Sequence, residues 1–518
     1  MKSPKLVLAL ALATTFSTAL IPGQTMAQEI KGIDTALLAK ATAGDAASEF
    51  LVGYAYGSGK SVPLDYAQAA VWFRKAAEQG NADGQTALAV LYDYGHGVPQ
   101  DYSQAIYWDK KAADQGDATA KFNLGVLYHF GHGVPQDYAQ AAGWIRKAAD
   151  QGLAIAQINL AGFYENGQGV PQDYTQAVTW YTKAGEQGNL QAQVNLGKYY
   201  LEGHGVAKDY TQAANWYRKA AEQGNADAQD HLGVLYDNGH GVEMDPAEAA
   251  NWYRKAADQG NADAELNLAF DYKEGHGVTQ DYVQAANWYR KAAEQGNTNA
   301  AMNLGTFYMT GHGVPQDNAQ AAVWFKKAAE QGQPDAELQL AKLYEDSHGV
   351  PKDAAQAAAL YKKAAAQGNA FAQVKLGEMF AEGHGVAKNY SQAATWFRKA
   401  ADQGNAEAQA SLGQLYLDGH GVPQDPAQAA SWFRKAADQG LAKAQYDLGL
   451  IYETGHKVPQ DYGQAYFWLD LAAASSSGDT EVKIAKSRDQ AAQKLSQEQL
   501  FQVQDRASKW FATHSTQP

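Results

Sequence analysis

Apolar positions recur at helical spacing along most of the chain, in two short runs per unit. In residues 82–94, Leu88, Ala89, Leu91 and Tyr92 fall on one stripe, the pattern of a helix with a single buried face. A second run opens at Asp101, which can cap a first turn, and Gln104 three positions later predicts a capping box. Ala105, Trp108, Ala112 and Ala113 are its apolar face, and Gly116 stands where a left-handed residue ends a helix. Between the runs lies GHGVPQD, residues 95–101. Gly95 suits a C-terminal cap and Gly97 allows a second unusual backbone angle. Val98 can pack back under the turn, and Pro99 stops the helix from resuming. The unit is therefore a helix, a seven-residue turn and an antiparallel helix.

Tryptophan measures the period. Trp72, Trp108, Trp144, Trp180, Trp216, Trp252, Trp288 and Trp324 are each 36 residues apart, and Trp396, Trp432 and Trp468 continue the series. From 45 to 476 the chain divides into twelve such units without insertion. Neither helix of a unit can bury its face alone, so the units must stack. The predicted fold is an all-α solenoid.

The pattern A-x-x-x-L-G-x-L-Y-x-x-G-x-G-V-x-x-D-x-x-x-A-x-x-W-x-x-K-A-A-x-Q-G resembles the SEL-one-like repeat, a relative of the tetratricopeptide repeat. Residues 118–152 carry it nearly letter for letter, from Ala120, Leu124, Gly125, Leu127 and Tyr128 through Gly131, Gly133, Val134 and Asp137 to Trp144, Lys147 and Gly152. The resemblance implies a right-handed superhelix whose first helices line a concave side, and a role as an adaptor holding other proteins together. Unit 333–368 departs from the pattern, with Leu360 for tryptophan, Ser347 for the turn glycine and Ala354 for tyrosine. Unit 153–188 has Gln168 for histidine and Gly185 inside its second helix. Residues 28–44 and 477–518 read as caps, the latter with helices near 481–495 and from Ser496 to about Phe511.

Ten of the thirteen histidines occupy the second position of the turn. Stacked helices lie roughly 8–10 Å apart, whereas the ligands of one metal ion lie about 2 Å from it. Successive histidines are thus too far apart to share an ion, and no acid or nucleophile recurs beside them. They read as exposed turn residues, alone in the loop in contributing nothing to folding.

Composition places the chain. The first 27 residues carry Lys2 and Lys5, an apolar run from Leu6 to Leu12 and Thr25-Met26-Ala27 before Gln28, the arrangement of a secretory signal peptide. Losing those two lysines takes the net charge from −14 to −16. An acidic exported chain without a basic cluster argues against nucleic acid and anionic membrane surfaces as partners. Once the signal is removed no membrane insertion is expected, and a monomer in the periplasm or outside the cell is. Cysteine is absent, so packing alone stabilises the chain.

Enzyme signatures are missing. No serine has lysine three positions on, and there is no G-x-S-x-G, H-E-x-x-H, G-x-x-x-x-G-K or thiol. Some cysteine-rich secreted relatives of the family bind or hydrolyse β-lactams, and others bind host immunoglobulin. No residue pattern here carries the first activity over; host interaction stands as the alternative function. No catalytic residue, cofactor or metal ligand is expected.

The position before the unit's leucine reads Asn123, Asn159, Asn195, His231, Asn267 and Asn303. By the resemblance it lines the groove, where an amide that donates and accepts together suits a peptide main chain. Alternatively these asparagines bond to neighbouring repeats. Phe122, Ile158, Val194 and Met302 lie one position earlier, and Glu165, Asp237, Lys273, Glu345 and Glu453 lie near the helix ends. The expected partner is a protein or peptide on the concave face between 117 and 303, held by these amides and apolar side chains.

Overall fold

The 13-residue helix is the module of this molecule. In one unit Ala82–Tyr94 and Tyr102–Asp114 each have that length. The computed structural model describes residues 32–455 and 458–514. Among them all regular structure is helical, from Thr35–Thr42 to Gln497–His514, with no strand. Residues 1–27, read above as a signal segment, residues 28–31, His456, Lys457 and the tail 515–518 lie outside the described residues.

The chain forms two compact units. One runs to Ala264 and includes 276–278; the other comprises 265–275 and 279 onward. Each is a stack of antiparallel helix pairs.

The turn forms as its residues dictate. Gly95 caps the first helix at φ 68° and Gly97 lies at φ 69°. A Cβ at Gly97 would sit 2.2 Å from the carbonyl carbon of Tyr66, so this glycine lets the loop close on the preceding repeat. The Asp101 carboxylate accepts the N–H groups of Ser103 and Gln104 at 2.9 and 3.1 Å. Only half of the expected capping box is used, because the Asp101 N–H donates to the Tyr92 carbonyl at 3.0 Å. The complete box appears at the last helix instead. There the Gln499 N–H donates to Ser496 Oγ at 3.2 Å and the Ser496 N–H to Gln499 Oε1 at 2.9 Å.

In the core, second-helix rings pack into glycine or alanine notches on the first helices, beside buried first-helix leucines. Tyr217 is fully buried, and a Cβ at Gly197 would meet its ring at 2.6 Å. Trp216 is 7% exposed beneath the Lys219 ammonium, 3.9 Å from its ring. Ten repeats share this lysine-over-tryptophan contact, at 3.6–5.0 Å.

Three polar ties join consecutive repeats, none of them expected from the sequence. The first is a buried glutamine relay. Gln223 Nε2 donates to Gln193 Oε1 at 2.7 Å, and Gln193 Nε2 donates to the Gly185 carbonyl of the preceding repeat at 3.0 Å. The second runs from an arginine of one repeat to a tyrosine hydroxyl of the next, as from Arg218 to Tyr236 at 3.1 Å. The third is the loop histidine. His240 stacks on Tyr210 with ring centroids 4.5 Å apart, and His96, His132, His204, His312 and His420 pair likewise with Tyr66, Tyr102, Tyr174, Tyr282 and Tyr390. Apart from half-buried His132 these histidines are exposed, as expected, yet they do contribute to folding, because in these six repeats the ring clips the turn to the start of the preceding second helix.

The first helix of the C-terminal segment runs Gly478–Ala492, starting and ending about three residues before the stretch expected near 481–495. Gln497–His514 then closes the end through Val503 and Trp510, packed on the core around Trp468, and through Gln504, which donates to the Tyr466 hydroxyl at 3.1 Å.

Candidate functional site

The predicted asparagines share one position on successive first helices, with the predicted apolar residues one position earlier; two residues on stands the glycine or alanine that faces a second-helix side chain such as Ile145 or Tyr217. Burial of the asparagine differs from repeat to repeat: Asn159 is buried, whereas Asn123, Asn195, Asn267 and Asn303 are half-buried.

Asn123 spends its amide on the fold. Its Nδ2 donates to Asp109 Oδ1 at 3.2 Å. Asp109 is 2% exposed and fills a second-helix position held elsewhere by rings and aliphatics such as Phe73, Ile145 and Tyr217. Burial pushes its carboxyl well above the usual range; the Asn123 bond works against that, and Asp93 and Asp117 add to it. A carboxylate buried there needs a donor, and Asn123 is that donor.

Asn159 is buried at 6% exposure and donates to its own helix, to the Ile155 carbonyl at 2.7 Å. Phe122 and Ile158 are buried in the core with Tyr164 and Trp180. These three present little surface to a ligand. Asn195 and Val194 are half-buried. Asn195 Oδ1 accepts from Gln191 Nε2 at 3.0 Å, and its amide neighbours the Tyr181 hydroxyl. Met302 and Asn303 are also half-buried, with Asn303 Nδ2 donating to the Asn299 carbonyl at 2.9 Å. Asn267 is half-buried and engaged by a neighbour.

The acids expected at the rim are largely occupied. Tyr181 donates to Glu165 Oε2 at 2.8 Å and Tyr361 to Glu345 Oε2 at 2.7 Å. Asp237 lies 3.2 Å from His276 Nδ1, and Lys273 is paired with Glu274 at 2.8 Å. Burial raises the Glu453 carboxyl. Where the rim position is apolar or basic, as at Leu201 and Lys273, the tyrosine hydroxyls of Tyr217 and Tyr289 are buried without a partner. Sequence reasoning missed this coupling of rim acid to core tyrosine, although a glutamate sixteen residues before a tyrosine marks both cases.

The repeat architecture decides the family. A model of the Sel1 repeat matches twelve consecutive segments, from 46–81 through 442–477. The chain belongs to the Sel1 repeat family. The crystal structure of a protective antigen present in uropathogenic Escherichia coli strains, described as displaying an SLR (SEL-one-like repeat) fold, is 41% identical, with a TM-score of 0.68. The match covers 86% of this chain and 95% of that one. A Sel1 repeat protein from Oxalobacter formigenes is 34% identical over 47% of this chain and 96% of its own, at a TM-score of 0.39. No match was found among curated proteins. Among the described residues no helix is long and apolar enough to cross a membrane. A Sel1 solenoid of this kind is a protein-interaction scaffold.

Proposed function

We propose that this Sel1 repeat protein is an exported, non-enzymatic scaffold that binds a protein or peptide partner on its first-helix face. The supporting observation is the repetition, at one first-helix position, of a half-buried amide beside a half-buried apolar side chain: Asn195 with Val194, and Asn303 with Met302. Such pairs offer hydrogen bonds to a main chain and contact to its side chains. Within the first compact unit, Asn195 and Val194 are the contact residues to test, whereas Asn123 supports Asp109.

Export rests on the basic, apolar and Thr25-Met26-Ala27 arrangement of the N-terminus. The mature chain then begins at Gln28, in the periplasm or outside the cell. N-terminal sequencing of exported protein reads Gln28 if this holds; an intact Met1 in a membrane pellet refutes it. The second reading, a host-facing protein, draws on the protective-antigen description of the 41% identical relative.

The binding face is tested by a photo-crosslinking residue in place of Val194 or Asn303. Capture of a partner from either position, and not from the exposed second-helix positions Val283 and Val323, supports the reading. Capture only from Val283 or Val323 moves the binding surface to the second helices.

A further inference from the structure

Three repeats break the glutamine relay with a glutamate: Glu49, Glu265 and Glu337 stand where seven others have glutamine. We propose that Glu337 makes the seam between repeats 298–333 and 334–369 proton-dependent, tight when the carboxyl is protonated and loosened when it ionises.

The relay shows why. In those seven repeats the glutamine Nε2 donates at 3.0–3.2 Å to a carbonyl eight residues earlier, in the preceding second helix. For Glu337 the equivalent acceptor is the Ala329 carbonyl. A carboxylate has no hydrogen to donate there, so ionisation sets oxygen against oxygen at the negative end of helix Asn318–Glu330. Protonation restores the bond. Glu337 is 2% exposed, and its remaining partner is Gln367 Nε2 at 3.1 Å.

The charges around it do not rescue the ionised form. On its own repeat's second helix, Lys363 opposes burial, yet burial is the larger influence and the carboxyl stays raised. On the preceding second helix, Lys326 and Glu330 are exposed and Lys327 lies over the Trp324 ring, 4.0 Å away. On its own helix Asp335 is exposed, Lys342 lies over Phe371 and Glu345 accepts from Tyr361. A group raised in the folded state adds stability that is complete below its unfolded value and is lost as pH rises through its folded value.

The test is hydrogen exchange on the full chain at pH 5 and pH 7.5, corrected for intrinsic rates. In the wild type the opening constant of amides in 334–369 should rise several-fold, up to about tenfold per unit by which the carboxyl is raised, on going to pH 7.5. In Glu337→Gln that rise should vanish, with opening as slow at both pH values as in the wild type at pH 5. The reciprocal variant Gln373→Glu should install the same rise at the next seam, in 370–405. An unchanged pH response in Glu337→Gln, or none in Gln373→Glu, overturns the proposal.

Discussion

Repeats 190–225 and 334–369 have the same length and helices, yet they are held very differently. In 190–225 every tie is present. Trp216 lies under Lys219, Tyr217 fills the Gly197 notch, Gln193 relays to the Gly185 carbonyl and Arg218 reaches Tyr236. His204 stacks on Tyr174, and Tyr210 receives His240. In 334–369 Leu360 replaces the tryptophan, Glu337 the relay glutamine and Lys362 the arginine. Asn318 and Ala354 stand where His348 and His384 would find tyrosine rings. Ser347 holds the helix cap at φ 59°, the one positive φ outside glycine among the described residues. Partial compensation comes from Tyr361 bonded to Glu345 and from Gln333 capping Ala336. The apolar pattern alone therefore gives a repeat its shape, and the ties between repeats set how firmly it is held.

That contrast can be broken from either side. The largest effect is expected from Trp216→Ala, which removes a buried aromatic and should cost about 3–5 kcal/mol. Hydrogen exchange should then show 190–225 opening as early as 334–369. Next, Asn123→Ala should create a second weak seam by leaving buried Asp109 without its donor, at about 1–3 kcal/mol near neutral pH. Because the Asp109 carboxyl is raised in the folded chain, the defect should shrink as pH falls and the group protonates, which a denaturation series against pH will read. Ser347→Gly should sharpen the weak repeat in the other direction by relieving backbone strain, slowing its exchange by the equivalent of about 1 kcal/mol. Smallest is the histidine clip. His240→Ala should lose roughly 0.5 kcal/mol, at the low end for a ring pair, whereas His348→Ala, with no tyrosine beneath it, should change nothing measurable in the same melt.

Much of this was legible in the residues. Asp101, Gly95, Gly97 and Gly116 mark helix ends, and the tryptophan period fixes the repeat. The ties were not, because each joins residues on different helices, eight to thirty positions apart, while helical periodicity reports only neighbours within a turn or two. Yet they leave a trace in the chain: His240 stands thirty residues after Tyr210, and Gln223 thirty after Gln193. The candidate face was partly legible. Its asparagines recur at one first-helix position, but nothing near Asn123 announces that Asp109, fourteen residues earlier, claims its amide. Nor does the pattern tell buried Asn159 from half-buried Asn195, since that depends on how closely each neighbour packs.

Loss of inter-repeat ties, more than loss of helix-forming sequence, is expected to set where the array opens. Native-state hydrogen exchange of the intact chain tests this directly. Amides of 334–369, in an alanine-rich sequence well suited to helix, should lose protection before those of 190–225. Uniform protection along both, or earlier opening of 190–225, would contradict it.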